Sequence, residues 1–280
     1  MNYNQILKEG ENFLKKSNIK SPNLDTELIL SKIINKKREE ILLNSKNKLK
    51  NTDLKKFKSY LLRRYHKEPI AYILGYKHFW KHKFLTNKSV LIPRPDTELI
   101  VEETLKHLPI DKSKKILDVG TGSGCIVVSL IKERPKCAAT AIDISRKALN
   151  VAKTNAKLHQ VENKIKFINI DIDKYKSSNY DLIISNPPYI NCIELNRLDD
   201  DIKLHEPKIA LSGGYDGFRD IKKVIIVSKK LLKLNGKLII EIGHKQKNQS
   251  IKILNENGYY INKISKDLAG KDRCIISTKL

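Results

Sequence analysis

Lys115-Ile116-Leu117-Asp118-Val119-Gly120-Thr121-Gly122-Ser123-Gly124 is a short apolar run that ends in a glycine-rich turn. An apolar run bounded by turn residues reads as a buried strand, and the stretch from Cys125 to Arg134 that follows reads as a helix. Glycines at such a turn let backbone approach a ligand and let the helix lie close on the strand. The Gly-x-Gly-x-Gly spacing lacks the two-residue gap of the dinucleotide fingerprint. No Gly-Lys-Ser/Thr follows, so a P-loop is excluded. The next run, Ala138-Ala139-Thr140-Ala141-Ile142, ends in Asp143, 19 residues past Gly124. An acid at the end of a second strand is placed to grip ribose hydroxyls. A nucleoside ligand with no required phosphate fits S-adenosylmethionine. Strands are expected near 115–119, 138–143, 164–170, 181–185, 237–243 and 273–278, with helices between them. That alternation predicts an α/β fold with a doubly wound, Rossmann-like parallel sheet.

A second motif stands at the end of the run Asp181-Leu182-Ile183-Ile184-Ser185, namely Asn186-Pro187-Pro188-Tyr189. Proline disfavours a helical conformation in the residue before it. Two successive prolines fix φ and remove two N–H groups. The loop is therefore stiff and rich in acceptors, the Asn186 side-chain oxygen and the Pro187 carbonyl among them. Tyr189 supplies an aromatic wall. Two acceptors beside a flat wall suit the –NH₂ group of an amide or an exocyclic amine. Beside a methyl-donor site, such a pocket predicts an N-methyltransferase.

Fifty-five basic residues against 31 acidic ones give a formal charge of +24, which invites a nucleic-acid reading. Forty-six of those cations are lysines and nine are arginines, whereas specific nucleic-acid readers favour arginine in a recognisable module. A solvated lysine-rich surface is the better reading, and direct nucleic-acid binding is not expected. The charge is denser over residues 1–92, which carry 21 cations and 8 anions. No apolar run approaches the roughly 18 residues of a membrane span, and the first residues lack the layout of a signal peptide. The cysteines at 125, 137, 192 and 274 form no Cys-x-x-Cys pair, which argues against zinc or a disulfide framework and suits a reducing cytoplasm. The histidines show no ligand spacing, so no metal is expected.

The front third reads as helical. Ser21-Pro22 opens a helix with Leu24, Leu28, Ile29, Ile33 and Ile34 on one face, and Thr52-Asp53 opens another with Leu54, Phe57, Leu61 and Leu62 inward. Residues 70–86 read as a hairpin or extended connector, in which Tyr72, Tyr76, Phe79 and Trp80 pack a small core. Leu91-Ile92-Pro93-Arg94-Pro95-Asp96-Thr97-Glu98 reads as a stiff joint, with Asp96 or Thr97 capping the next helix. The expected organisation is an N-terminal helical substrate-recognition domain (1–78), a hairpin or linker (79–92) and a methyltransferase domain (93–280).

Taken together, the segments 91–98, Asp118 to Gly124, Asn186-Pro187-Pro188-Tyr189-Ile190 and Glu206-Pro207 resemble the HemK/PrmC family, the peptide chain release factor glutamine methyltransferases. The resemblance runs over nearly the whole chain. It implies a class I methyltransferase sheet with a small N-terminal helical domain, and methylation of the glutamine side-chain amide in the Gly-Gly-Gln motif of class-1 release factors. It implies that Gly120, Thr121, Gly122, Ser123, Gly124 and Asp143 hold S-adenosylmethionine, with Asp171 and Ile172 flanking the adenine. Asp118, by its place at the first strand's end, either ligates the methionine amino group of that cofactor or caps the following helix. Asn186, Pro187, Pro188 and Tyr189 would hold the glutamine amide, with Asn186 and Pro187 taking part in the chemistry and Asn186 also bordering the cofactor. Ile172 and His205 stand where relatives carry aromatics. A cytoplasmic monomer is expected. The rival reading, a DNA or RNA amine methyltransferase acting on a flipped base, would need a recognition module, and residues 191–217 are too few for a large one.

Overall fold

The computed structural model describes all 280 residues, which form two compact units. One comprises Met1–Tyr76 with Asp199–His205, the other Lys77–Leu198 with Glu206–Leu280. The expected boundaries did not anticipate that a segment so far along the chain belongs to the first unit.

In the first unit, α1 (Tyr3–Lys15) starts at a capping box formed by Asn2 and Gln5. It is followed by α2 (Pro22–Ile34), α3 (Arg38–Leu43), α4 (Asn51–Tyr65) and α5 (Ile70–Leu74). Ile6, Leu14, Ile29, Leu30, Phe57 and Leu61 build the core. Two helix faces differ from expectation. Leu24 and Leu62 are exposed, while Asp25 and Arg64 are buried. The reason is a buried ion pair, Arg64 Nε to Asp25 Oδ2 at 2.6 Å, which rotates both polar side chains inward. Asp201 joins it at 2.8 Å from Arg64 Nη1, Asp199 pairs with Lys20 at 2.6 Å, and the His205 ring meets the His66 carbonyl at 3.1 Å. Ser21 does not cap α2 through its side chain; its hydroxyl donates to Asp25 instead.

The chain continues through the hairpin β1 (Tyr76–Phe79) and β2 (His82–Leu85), a single 3₁₀ turn at Pro95–Thr97, and α6 (Glu98–Lys106). Phe79 and Phe84 pack edge to face within the large core of the second unit, against which Trp80 also packs, and Tyr72 lies in α5 of the first unit. The hairpin does not have the small aromatic core of its own that was expected. Residues 70–74, expected as part of a hairpin or extended connector, instead form the short helix α5, which Pro69 and Gly75 at its two ends mask in the sequence. Then come β3 (Lys115–Val119), α7 (Cys125–Glu133), β4 (Ala138–Asp143), α8 (Arg146–Leu158), β5 (Ile165–Asn169) and β6 (Tyr180–Ser185). After α9 (Cys192–Asn196) and α10 (Asp200–His205) the chain runs through α11 (Arg219–Leu231), β7 (Leu232–Glu241), α12 (Lys247–Glu256), β8 (Tyr259–Lys266) and β9 (Asp272–Lys279).

The sheet order is β5-β4-β3-β6-β7-β9-β8, and apolar cores cover both faces. Strands β3 to β7 are mutually parallel, which is the expected α/β sheet. The sheet is not parallel throughout, however: β9 runs antiparallel to β7 and to β8. Strand β8 escaped the sequence reading because Tyr259–Lys266 is an edge strand that mixes Tyr259, Tyr260, Ile261 and Ile264 with as many polar residues, most of them partly or fully exposed. Register places the ends of β3, β4 and β6 level, with Val119 opposite both Ile142 and Ser185. Gly120, Asp143 and Asn186 therefore emerge side by side at one carboxyl edge. Because β3 lies between β4 and β6, this edge is the topological switch point where open α/β sheets bind ligands.

Candidate active site

The cleft at that edge is lined by Val119 to Ser123, Asp143, Asp171, Ile172, Asn186, Pro187 and Pro188, with Arg94 and Thr97 on its rim. Gly120 and Thr121 both donate their amides to the Ile142 carbonyl, at 2.9 and 3.1 Å, which pulls the glycine loop onto the end of β4. Asp143 locks the same loop from the other side. It accepts the Gly122 amide at 2.9 Å and the Ser145 amide at 2.8 Å. Gly124 does not line the cleft. It sits at φ +78°, and an added Cβ would lie 3.1 Å from Ala152 Cβ and 3.2 Å from Ala152 Cα. Its role is to let α7 start close against α8.

Asp118 lies behind the loop at 1 % exposure, accepting from Thr121 Oγ1 at 2.6 Å while its other oxygen makes no hydrogen bond. Burial, with the Asp143 charge adding to it, raises its pKa to about 7. Burial also raises Asp143. The cations that line the cleft are already matched: Arg94 to Glu206, Arg219 to Asp220, and Lys223 to Asp171 and Asp173. Asp118 and Asp143 have no such partner. What the cleft lacks is a positive charge, which fits a cationic nucleoside and not a nucleotide phosphate. Asp171 is turned to Lys223 at 2.7 Å, and Ile172 packs into the core with Tyr175 while its edge reaches the cleft.

Asn186 follows β6 on the opposite wall. Its Nδ2 donates to Thr97 Oγ1 at 3.0 Å, and its Oδ1 has no donor within the fold. The loop 211–217 clamps the motif from outside. Ile190 donates to the Leu211 carbonyl at 3.0 Å, Gly213 donates to the Ile190 carbonyl at 2.9 Å, and a Cβ on Gly213 would strike the Pro188 carbonyl at 2.8 Å. Gln246 bridges the two loops, donating to the carbonyls of Tyr189 and Gly217 at 3.0 Å each. Tyr189 was expected as a wall of the pocket. The structure places it behind the wall, largely buried, with its hydroxyl donating to Glu241 Oε1 at 3.1 Å. The cap expected of Asp96 or Thr97 is likewise not made: neither side chain caps α6, and Thr97 turns its hydroxyl into the site.

Sequence reasoning missed Glu241 and Gln246. Their sequence signal is faint: a lone acid ending an apolar strand, and a glutamine three residues after Gly243. Glu206, quoted for its resemblance alone, gains a physical role. It is buried, accepting Arg94 Nη2 at 2.5 Å and the Ile92 amide at 3.2 Å, and so ties the proline-rich joint to the wall of the cleft.

Comparison with known proteins agrees with this arrangement. Residues 97–198 match the methyltransferase small domain, and residues 5–75 match the PrmC N-terminal domain. A release factor glutamine methyltransferase from Coxiella burnetii is 36% identical over 93% of each chain. One from Clostridium acetobutylicum is 34% identical over 100% of this chain and 99% of its own. A bifunctional methyltransferase from Rickettsia bellii is 37% identical over 97% of this chain but only 54% of its own, so the chain spans about half the length of that relative. A solved methyltransferase from Pyrococcus furiosus shares the fold, with a TM-score of 0.55 at 19% identity over 79% of this chain and 97% of its own. Two matched domains and full-length relatives at 34% and 36% identity lead to one conclusion: the chain belongs to the release factor glutamine methyltransferase family.

Proposed function

We propose that this protein methylates the side-chain amide nitrogen of the glutamine in the Gly-Gly-Gln motif of class-1 release factors, with S-adenosylmethionine as donor. The observation that carries this reading is the Asn186 side chain, pinned at its nitrogen by Thr97 with its oxygen left free beside the rigid Pro187-Pro188 backbone. The Pro187 carbonyl is likewise without a donor. Two fixed acceptors match the two hydrogens of a primary amide.

When bound, S-adenosylmethionine supplies an electrophilic methyl group on a positively charged sulfur. Gly120 to Ser123 and Asp143 are the residues that would hold it, and Asp118 and Asp143 would balance its charge. An amide nitrogen is a weak nucleophile because its lone pair is delocalised into the carbonyl. Acceptors at Asn186 Oδ1 and Pro187 O would hold the –NH₂ group in one orientation and favour localisation of that pair. Positioning then supplies much of the rate, as in other reactions whose partners are held in near-attack geometry. The two prolines and the 211–217 clamp keep the acceptors from reorganising during the reaction.

The first unit is proposed to select the protein substrate. A three-residue loop offers little area for tight recognition, so a second contact is needed, and residues 1–92 carry the denser positive charge.

The deciding assay offers tritiated S-adenosylmethionine with release factor, tRNA, rRNA and DNA in parallel. Incorporation into release factor alone is expected, and it should disappear when the Gly-Gly-Gln glutamine is replaced. Asn186→Ala should lower the single-turnover rate by about 10²–10³, the usual cost of losing one preorganised polar contact in a transition state. Label in a nucleic acid, or an Asn186→Ala rate within a few-fold of wild type, would defeat the reading.

A further inference from the structure

Glu241 ends β7, bonded to Tyr189 at one end of the Asn-Pro-Pro-Tyr motif and beside Thr97, which holds Asn186 at the other. At one end Tyr189 donates its hydroxyl directly to Glu241 Oε1. At the other, the Thr97 hydroxyl lies against the same carboxylate and also receives Asn186 Nδ2. All of this is out of water: Glu241 is 1 % exposed and Thr97 3 %. The second carboxylate oxygen, Oε2, makes no hydrogen bond. Holding such a group in the interior works against folding, and the fold has not replaced it with an apolar residue.

The direction of the hydrogen bonds explains what it does. A hydroxyl has one proton and two lone pairs, whereas an ionised carboxylate can only accept. An ionised Glu241 beside it would draw the Thr97 proton to the carboxylate, and the Thr97 oxygen would then only accept. It therefore selects the Asn186 –NH₂ group and turns Asn186 Oδ1 toward the cleft. If Glu241 carries a proton, it can donate to Thr97, and the Thr97 proton is released toward Asn186. The side-chain amide is then free to flip and present –NH₂ to a substrate –NH₂, donor against donor.

We propose that Glu241 is a positioning residue, whose carboxylate sets the polarity of the chain Asn186–Thr97–Glu241 so that Asn186 offers its oxygen to the substrate amide. This rests on the reading of Asn186 as the amide acceptor. Thr97 is the relay, and it need not touch substrate for the effect.

The charges around the carboxylate keep the switch within reach. Burial pushes Glu241 up to about 7, Asp96 adds to that rise, and Arg273 opposes it together with the Thr97 and Tyr189 hydroxyls. Arg273 is itself paired with Asp267 at 3.0 Å and Asp96 at 3.3 Å, and the neighbouring thiols of Cys125 and Cys274 are pushed up and stay neutral.

The test compares single-turnover methylation of release factor by Glu241→Gln, Thr97→Val and Thr97→Ser with donor affinity measured separately. Glu241→Gln keeps shape but can donate to Thr97. It should lose about 10- to 100-fold in rate, as small misplacements of reacting groups do, with donor affinity within about twofold of wild type. Thr97→Val should lose a similar factor, and Thr97→Ser should recover most of it. The wild-type rate should fall on acidification through pH 7 with a limb absent from Glu241→Gln. Independently of activity, the Asn186 side-chain amide signal in ¹⁵N NMR should shift in step with the Glu241 carboxyl titration in ¹³C NMR. The proposal is overturned if Glu241→Gln keeps both the rate and the acid limb, or if the Asn186 signal ignores the Glu241 titration. A wild-type rate in Asn186→Ala would instead sink the underlying reading, so the two failures are distinguishable. Should Glu241→Gln not fold, the Thr97 pair and the wild-type NMR titration decide alone.

Discussion

Replacing Asp143 with alanine tests the cofactor side of the site most directly, because the same carboxylate is asked to do two jobs. It accepts the Gly122 and Ser145 amides at 2.9 and 2.8 Å, and it is proposed to bind the ribose diol. Hydrogen bonds to a charged group contribute about 1.5–3 kcal/mol each. Losing two would suggest roughly 3–6 kcal/mol. Against that, the substitution removes a carboxylate whose burial is unfavourable, as its raised pKa indicates. A net destabilisation of about 1–3 kcal/mol is expected, a fall of several degrees in melting temperature for a domain of this size. Donor affinity should fall by roughly 10- to 100-fold, the equivalent of one lost charged contact to the diol. Asp143→Asn should be no better, because its –NH₂ group would face one of the two amide donors. Calorimetric titration with S-adenosylmethionine gives the affinity, and thermal unfolding followed by circular dichroism gives the stability. A folded Asp143→Ala protein with wild-type affinity would remove Asp143 from the donor site and leave it a purely structural lock.

Three further outcomes follow from particular contacts. Gly124→Ala should lower stability by about 1–3 kcal/mol, since it combines a positive φ with a 3.1 Å approach to Ala152; an unchanged melting curve would show that α7 shifts freely. Asp118 has its pKa raised to about 7, so below pH 7 it holds a proton that a bound cation must displace. Donor affinity should therefore rise between pH 5.5 and 7 with proton release seen in calorimetry across buffers, and Asp118→Asn should flatten that slope; equal slopes in the two proteins would refute the linkage. Arg64→Ala strands the buried Asp25 carboxylate, which should cost about 3–5 kcal/mol in the first unit. Donor binding should survive that change while methylation of release factor drops. Equal loss of both would show that the first unit does more than select substrate.

Much of the catalytic half is legible in the chain because the signals are local. A strand announces itself by a run of apolar residues, and the glycine loop, Asp143 and the Asn-Pro-Pro-Tyr segment each sit at a strand end that the sequence already marks. Their convergence follows from one further rule, that parallel strands with crossovers bring carboxyl ends to the same edge. The resemblance to a known family likewise rests on contiguous motifs. What the chain did not reveal depends on partners far apart in sequence. Thr97 reads as a helix cap, and only the tertiary fold, by setting Asn186 and Glu241 on either side of it, turns its hydroxyl inward. Tyr189 reads as a pocket wall until Glu241, 52 residues later, draws its hydroxyl behind that wall. Leu24 and Leu62 fit an apolar stripe, yet the Asp25–Arg64 pair takes the buried positions, because two matched charges held together out of water override a helical periodicity that considers each helix alone. Strand β9 was visible as a strand, but its antiparallel direction was decided by pairing with β8, whose half-polar, partly exposed edge sequence gives only a weak strand signal. Propensity and pattern are properties of neighbours along the chain, whereas the direction of a hydrogen bond is settled by whichever distant group the fold delivers to it.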